Sequence, residues 1–233
     1  MTIQNINRYL DHAILKPDMT RQEAIEAIQL GIDYKVRTVC VRPCDIKLAV
    51  EMCQGTETEV SCTLAFPHGC TLSAVKADEA RHYIAVGVHE IDMVANYGFI
   101  RSGLWDEVTA DIRTVADVTR PAGVPLKVIF ETAWLTLDEI KRTVQCAIDA
   151  GADFVKTSTG FNGEGATVEQ VQAMLDAAQG RIKVKPSGGI RDRARAELFI
   201  QMGAHRLGNG YTSTTAICGE LSAVSDKPLT GGY

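Results

Sequence analysis

Short apolar runs alternate with longer stretches of helical period along the whole chain, and no linker or low-complexity tract interrupts them. Eight runs read as strands: "DHAIL" from Asp11, "TVCVRP" from Thr38, "VSCTLAF" from Val60, "EIDMVAN" from Glu90, "LKVIFET" from Leu126, "FVKTS" from Phe154, "IKVKPS" from Ile182 and "HRLGN" from His205. The stretches between them carry helix punctuation. "TRQE", "TLDE" and "TVEQ" put Thr20, Thr136 and Thr167 three residues before Glu or Gln, the spacing of a capping box. Gly87 and Gly151 stand where the third and fifth helices should end. Eight strand–helix units predict an α/β fold, a single-domain (β/α)8 TIM barrel. The competing fold, a doubly wound open sheet, calls for a glycine-rich "GxGxxG" loop after the first strand, which is absent. The barrel is expected over residues 1–224 and a flexible tail over 225–233.

Alternate residues of a strand point to opposite faces, so in a barrel one parity meets the helices and the other fills the interior. In "EIDMVAN" the apolar set Ile91, Met93 and Ala95 leaves Glu90 and Asp92 inside. In "LKVIFET" the set Leu126, Val128 and Phe130 leaves Lys127 and Glu131 inside. Val155 leaves Phe154, Lys156 and Ser158 inside, and Ile182 with Val184 leaves Lys183 and Lys185. Branched apolar residues normally fill this space. One account of the charges is an internal salt-bridge network without chemistry, in which Lys127 pairs with Glu131. Lys156 and Lys185 on neighbouring strands fit that account poorly, because like charges favour a neutral amine, and a neutral amine is a nucleophile. Cys40 lies on the inward parity beside Arg42 and is placed in the pocket lining; Asp11 and His12 either cap the core or border the site, and His68 reads as a loop residue.

Composition narrows the partners. A net charge of −5 without a basic run argues against nucleic acid and anionic membranes, and no stretch has the ~18 apolar residues of a membrane helix. Seven scattered cysteines, an odd number, suit a reducing cytoplasm, and no second Cys/His pair accompanies Cys40 and Cys44, so no metal site is expected.

The strings "LDHAILKP", "FPHG", "EIDMV", "LKVIFET", "DFVKTSTGF" and "KPSGGIR" resemble, in order and spacing, the deoxyribose-phosphate aldolases, and the resemblance covers essentially the whole chain. It implies a barrel enzyme, a lyase that uses no metal or organic cofactor, acting on a small aldehyde or sugar phosphate, with homo-oligomerisation left open. It implies Lys156 as the Schiff-base lysine, Lys185 as the neighbour that keeps that amine neutral, and Asp92 as general acid and base with a water. It implies a phosphate cup from Gly188, Gly189 and Arg191 at a helix start, with Gly208 and Gly210 after the last strand, and Lys127 nearby. The terminal Tyr233 resembles the tyrosine that ends some members and enters the barrel mouth. The chain departs from the family in "RLGNGYTS", where Gly210 and Tyr211 replace small hydroxyl residues of a "RIGTSSG"-like loop, and at Ala13 and Trp134. That departure raises two alternatives: the same chemistry on a different or non-phosphorylated acceptor, or a barrel that binds sugar phosphate without turnover.

Overall fold

In the computed structural model, residues 3–221 are described, and Tyr233 and the 225–233 tail lie outside them. Eight parallel strands, β1 (Leu10–Ile14), β2 (Thr38–Val41), β3 (Glu59–Leu64), β4 (Glu90–Val94), β5 (Leu126–Ile129), β6 (Phe154–Lys156), β7 (Lys183–Lys185) and β8 (Leu207–Gly210), run in the order β7-β6-β5-β4-β3-β2-β1-β8. A bridge between Ser187 and Gly208, with Gly208 N–H donating to Pro186 O at 2.8 Å, joins the two ends into a barrel. The strands alternate with helices α1 (Arg21–Asp33), α2 (Ile46–Cys53), α3 (Ser73–Val86), α4 (Tyr97–Arg101), α5 (Trp105–Thr119), α6 (Leu137–Ala150), α7 (Val168–Ala178), α8 (Arg193–Met202) and α9 (Thr214–Cys218).

The punctuation acts as the sequence predicts. Thr20, Thr136 and Thr167 form reciprocal capping boxes with Glu23, Glu139 and Gln170. Gly87 and Gly151 end α3 and α6 in the left-handed conformation that a side chain resists. Gly151 closes the sixth helix rather than the fifth, because Asn96 accepts from Phe99 N–H and starts the short α4, which no sequence signal announced.

Strand parity sets the layers. Ile91, Met93, Ala95, Leu126, Val128, Phe130, Val155 and Val184 are all fully buried against the helices. Strands β5 and β6 end earlier than expected because the chain bends into the barrel mouth. Glu131 sits in the left-handed region at φ 59, and Thr157 leaves the sheet to exchange side-chain hydrogen bonds with the Ser187 backbone, at 3.0 and 2.9 Å.

Candidate active site

The inward parity places seven charged groups in one buried layer. Asp92 accepts from Lys127 at 2.8 Å through Oδ1, and from Lys156 at 2.7 Å and Lys185 at 2.6 Å through Oδ2. Lys185 also donates to Asp11, and Arg206 bridges Asp11 at 2.7 Å and Glu90 at 2.9 Å. Lys127 reaches Glu90 at 2.5 Å. Below this layer Phe154 plugs the barrel, with the Lys127, Lys183 and Arg206 cations 5.9, 5.2 and 5.5 Å from its ring centre.

Four bases thus meet three carboxylates. Burial opposes every charge here, yet Lys127, Lys156 and Lys185 outweigh it for Asp92 and hold its carboxyl far below the usual range. Asp11 and Glu90 are depressed in the same way, Asp11 chiefly by Arg206 and Glu90 chiefly by Lys127. Among the lysines the outcome divides. Burial lowers Lys156, but the Asp92 carboxylate more than compensates and its pKa lies above the ordinary lysine value. At Lys185 burial prevails over Asp11 and Asp92, and Lys156 and Lys127 push in the same direction, so its pKa falls. The Asp92 carboxylate thus favours the charged form of Lys156, whereas at Lys185 burial and the neighbouring lysines favour loss of the proton.

Above the layer a cavity of about 440 Å³ opens at the C-terminal ends of the strands. Its walls include Lys156, Lys185, Cys40 and Asp11, and its far side is formed by Gly188, Gly189, Arg191, Gly208 and Gly210, with Tyr211. The structure therefore brings together the predicted lysines, Cys40 and the glycine cup. Asp92 and Lys127 do not line the cavity: both are fully buried in the layer below it, and Lys127 pairs with Glu90 and Asp92 rather than Glu131. Glu131 turns away into the loop after β6, where it accepts from Thr159 N–H at 3.1 Å and from Asn162 Nδ2 at 3.2 Å. Lys183 shares the inward parity but lies at the opposite end of the barrel, exposed.

The cup also differs from expectation in detail. Helix α8 starts at Arg193, and Asp192 caps it by accepting from Arg195 N–H at 2.8 Å, so a carboxylate already occupies that helix N-terminus. What this side presents to the cavity is instead the left-handed Gly188 and Gly189 and the exposed Arg191. Gly208 is needed for space: a Cβ there would stand 2.4 Å from Ser187 Oγ and 3.3 Å from Lys185 Cε. A Cβ at Gly210 would meet nothing closer than Thr212 Oγ1 at 4.0 Å, so its lack of a hydroxyl is not forced by packing.

Arg206 went unrecognised in the sequence, and Asp11 was left between capping the core and bordering the site. Arg206 and Asp11 carry the inward parity of β8 and β1, in step with Gly208 and Ala13, and that alternation was the available signal. His12 points the other way. Its Nε2 hydrogen-bonds Ala27 O at 2.9 Å and its Nδ1 the Thr214 hydroxyl at 2.7 Å, outside the barrel.

Comparison with known proteins agrees with this geometry. Residues 7–217 match the family model described as DeoC/LacD family aldolase. A deoxyribose-phosphate aldolase of Mannheimia succiniciproducens is 42% identical over 88% of this chain and 91% of its own length. That of Lactiplantibacillus plantarum is 41% identical over 92% and 99%. Among solved structures, an aldolase named QR15 superposes with a TM-score of 0.86 at 37% identity, over 92% of this chain and 95% of that one. A tetrameric deoxyribose phosphate aldolase from Aeropyrum pernix shares the fold, with a TM-score of 0.83 at 24% identity over 91% and 89% of the two chains. With an ordered layer of lysines and carboxylates at the mouth of a parallel barrel, a family model matched over residues 7–217 and relatives aligned over about nine tenths of its length, this chain belongs to the DeoC/LacD family of aldolases.

Proposed function

We propose that this protein reversibly cleaves 2-deoxy-D-ribose 5-phosphate to acetaldehyde and D-glyceraldehyde 3-phosphate through an iminium on Lys156. The observation that carries the reading is the Lys156 amine at the cavity floor, sharing one Asp92 oxygen with Lys185. Four bases against three carboxylates allow one amine to lose its proton while the layer stays neutral overall.

The steps follow from that arrangement. Lys156 passes a proton to its surroundings, with Lys185 as the nearby group most ready to exchange one, and attacks C1 of the open-chain sugar. Loss of water gives the iminium. The C3 hydroxyl gives up its proton as the C2–C3 bond breaks, the electron pair moves into an enamine, and glyceraldehyde 3-phosphate leaves. Protonation of the enamine carbon and hydrolysis release acetaldehyde. Asp92 is a poor base while three lysines surround it. Once Lys156 is an uncharged enamine, Asp92 has lost one cationic neighbour and its basicity rises when a proton must be moved through water. Gly188, Gly189, Gly208, Gly210 and Arg191 receive the phosphate, with Cys40 beside the reacting carbons. Lys127 and Arg206 hold Asp92 and Asp11 in place.

No described helix is long and apolar enough to cross a membrane, and all seven cysteines are free thiols. Both support cytoplasmic work on a small, soluble substrate. Exposed Leu72, Val75 and Val86 on and before α3 support association of copies, which sedimentation velocity would measure.

Borohydride reduction in the presence of acetaldehyde tests the central step. A two-carbon adduct on Lys156, located by mass spectrometry of the digest, is expected; an adduct on Lys185 or Lys127 with Lys156 unmodified would overturn the assignment.

A further inference from the structure

Glu131 is a buried carboxylate that the steps above do not use. It lies just past β5, fully buried, with its backbone in the left-handed region at φ 59 and ψ 61, a conformation that a side chain resists. Unlike Asp11, Glu90 and Asp92, it pairs with no cation among the described residues. Hydrogen bonds hold it instead. Its Oε1 accepts from Thr159 N–H at 3.1 Å, and its Oε2 accepts from the Thr159 hydroxyl and from Asn162 Nδ2 at 3.2 Å.

These donors require an acceptor at both oxygens. Thr159 N–H and Asn162 Nδ2 can only donate, the second Asn162 proton is committed to Pro67 O at 2.9 Å, and the Thr159 hydroxyl already accepts from Phe161 N–H at 3.0 Å. An amide in place of the carboxylate would set its own NH2 against one of them.

What the carboxylate holds is the loop after β6. Thr159, Gly160 and Phe161 of this loop wall the 440 Å³ cavity, whereas Glu131 and Asn162 do not line it. At the start of the loop, Phe130 N–H donates to Lys156 O and Thr132 N–H to Thr157 O, both at 3.0 Å, so the backbone on either side of Glu131 is pinned to the lysine strand. At its far end, Ala166 N–H donates to Ser187 O at 3.0 Å and to Gly188 O at 3.2 Å, and a Cβ on Gly165 would stand 2.2 Å from Gly188 C. The loop thus spans from the reacting lysine to the Gly188–Gly189 wall. Phe161 is also a wall of a second cavity, of about 470 Å³, on the β1–β3 side of the mouth, which Lys156, Lys185 and Cys40 do not line.

We propose that Glu131 is a positioning residue for the acceptor half of the substrate: its carboxylate sets the loop after β6 against the Gly188–Gly189 wall, at the distance from Lys156 that a phosphorylated acceptor needs. The proposal rests on the Schiff-base reading. Glu131 touches no reacting atom, so the iminium forms without it. Acetaldehyde ends at the lysine, whereas the glyceraldehyde 3-phosphate half extends along the loop to the wall. Loosening the loop therefore weakens acceptor binding and spares the donor.

The test is Glu131→Gln, read in the synthetic direction with acetaldehyde and glyceraldehyde 3-phosphate. KM for glyceraldehyde 3-phosphate should rise about tenfold, as when a buried donor loses its acceptor, while kcat changes by less than about threefold. The acetaldehyde concentration for half-maximal borohydride labelling of Lys156 should stay at the parent's value, and that labelling also shows that the variant is folded. Should Glu131→Gln not fold, Asn162→Ala serves instead: it removes one donor from outside the cavity and should raise the same KM by about threefold. An unchanged KM for glyceraldehyde 3-phosphate in either folded variant, or a loss of acetaldehyde labelling as large as the loss of acceptor binding, would overturn the positioning role. Failure of acetaldehyde to label Lys156 in the parent protein would instead overturn the Schiff-base reading.

Discussion

Two regions of this protein bury a lysine against a carboxylate, and they behave differently. Between α3 and α5, Lys76 donates to Asp111 at 2.7 Å and to Val94 O at 3.0 Å, and the second Asp111 oxygen accepts from Ser73 at 2.7 Å. One cation meets one anion, and each finds further partners. In the barrel, Asp92 serves three lysines at once, the layer holds a surplus base, and one face opens into a cavity. In the closed pair the amine and both carboxylate oxygens have partners, and neither cavity of the barrel mouth adjoins it. A shared carboxylate leaves an amine that can release a proton, and the cavity gives that amine something to attack.

The sharpest way to break the comparison is to remove one lysine from each region. Lys156→Met should abolish turnover and borohydride labelling by acetaldehyde while the protein stays folded, because Asp92 keeps two lysine partners. Lys76→Met should leave kcat within about twofold but cost about 3–5 kcal/mol in urea unfolding, the usual result of orphaning a buried carboxylate. If Lys76→Met abolished activity in a folded protein, the two regions would not be separable.

The shared acceptor comes next. Asp92→Asn keeps the shape but removes the charge that gathers the lysines. Exchange of the acetaldehyde methyl protons into deuterated water, followed by proton NMR, should slow by roughly 10²–10⁴-fold, the range for general acid–base catalysis. Unchanged exchange would make Asp92 a purely structural anion. Lys185→Met tests the surplus base with a smaller effect. Relieved of a like charge, Lys156 holds its proton to higher pH, so the acid limb of the kcat/KM profile should move upward by about one unit. An acid limb that stayed in place would show that Lys185 does not set the Lys156 proton.

The period of two along a strand made most of this region legible. It put Asp92, Lys127, Lys156 and Lys185 inside, and the structure keeps them there. The pairing among them depends on how neighbouring strands stagger around the barrel, which no single strand encodes. Lys127 was thus matched to Glu131, four residues along the same chain, although its partners come from β4 and Glu131 turns out of its strand at positive φ. Arg206 was missed because "HRLGN" offers only one charged inward position, too little alternation to stand out. The second cavity was not legible at all, since it is assembled from the loops after β1, β2, β3 and β6. The three capping boxes at Thr20, Thr136 and Thr167 were legible because each is a contact within four residues.

A third buried group sharpens the comparison from the closed side. His12 alternates with Asp11 on β1, so one residue of that pair faces the charged layer and the other faces α1 and α9. Ala27 O can only accept, so Nε2 carries the proton, Nδ1 accepts from the Thr214 hydroxyl, and Thr214 Oγ1 in turn accepts from Asn209 Nδ2 at 2.9 Å. Burial depresses the imidazole to about 4, against about 6.5 in an unfolded chain. The unfolded state therefore binds the extra proton between those values, and stability falls as pH drops from about 6.5 to about 4, by roughly 3 kcal/mol in all. The depressed carboxylates of the barrel lose their contribution only at lower pH, below the ordinary carboxylate range, so the two windows separate. His12→Gln should remove the slope between pH 6.5 and 4 in urea-midpoint measurements and leave kcat at pH 7.5 within about twofold of the parent. A slope retained in His12→Gln would assign that window to another group, and a large loss of kcat would tie this closed relay to the chemistry after all.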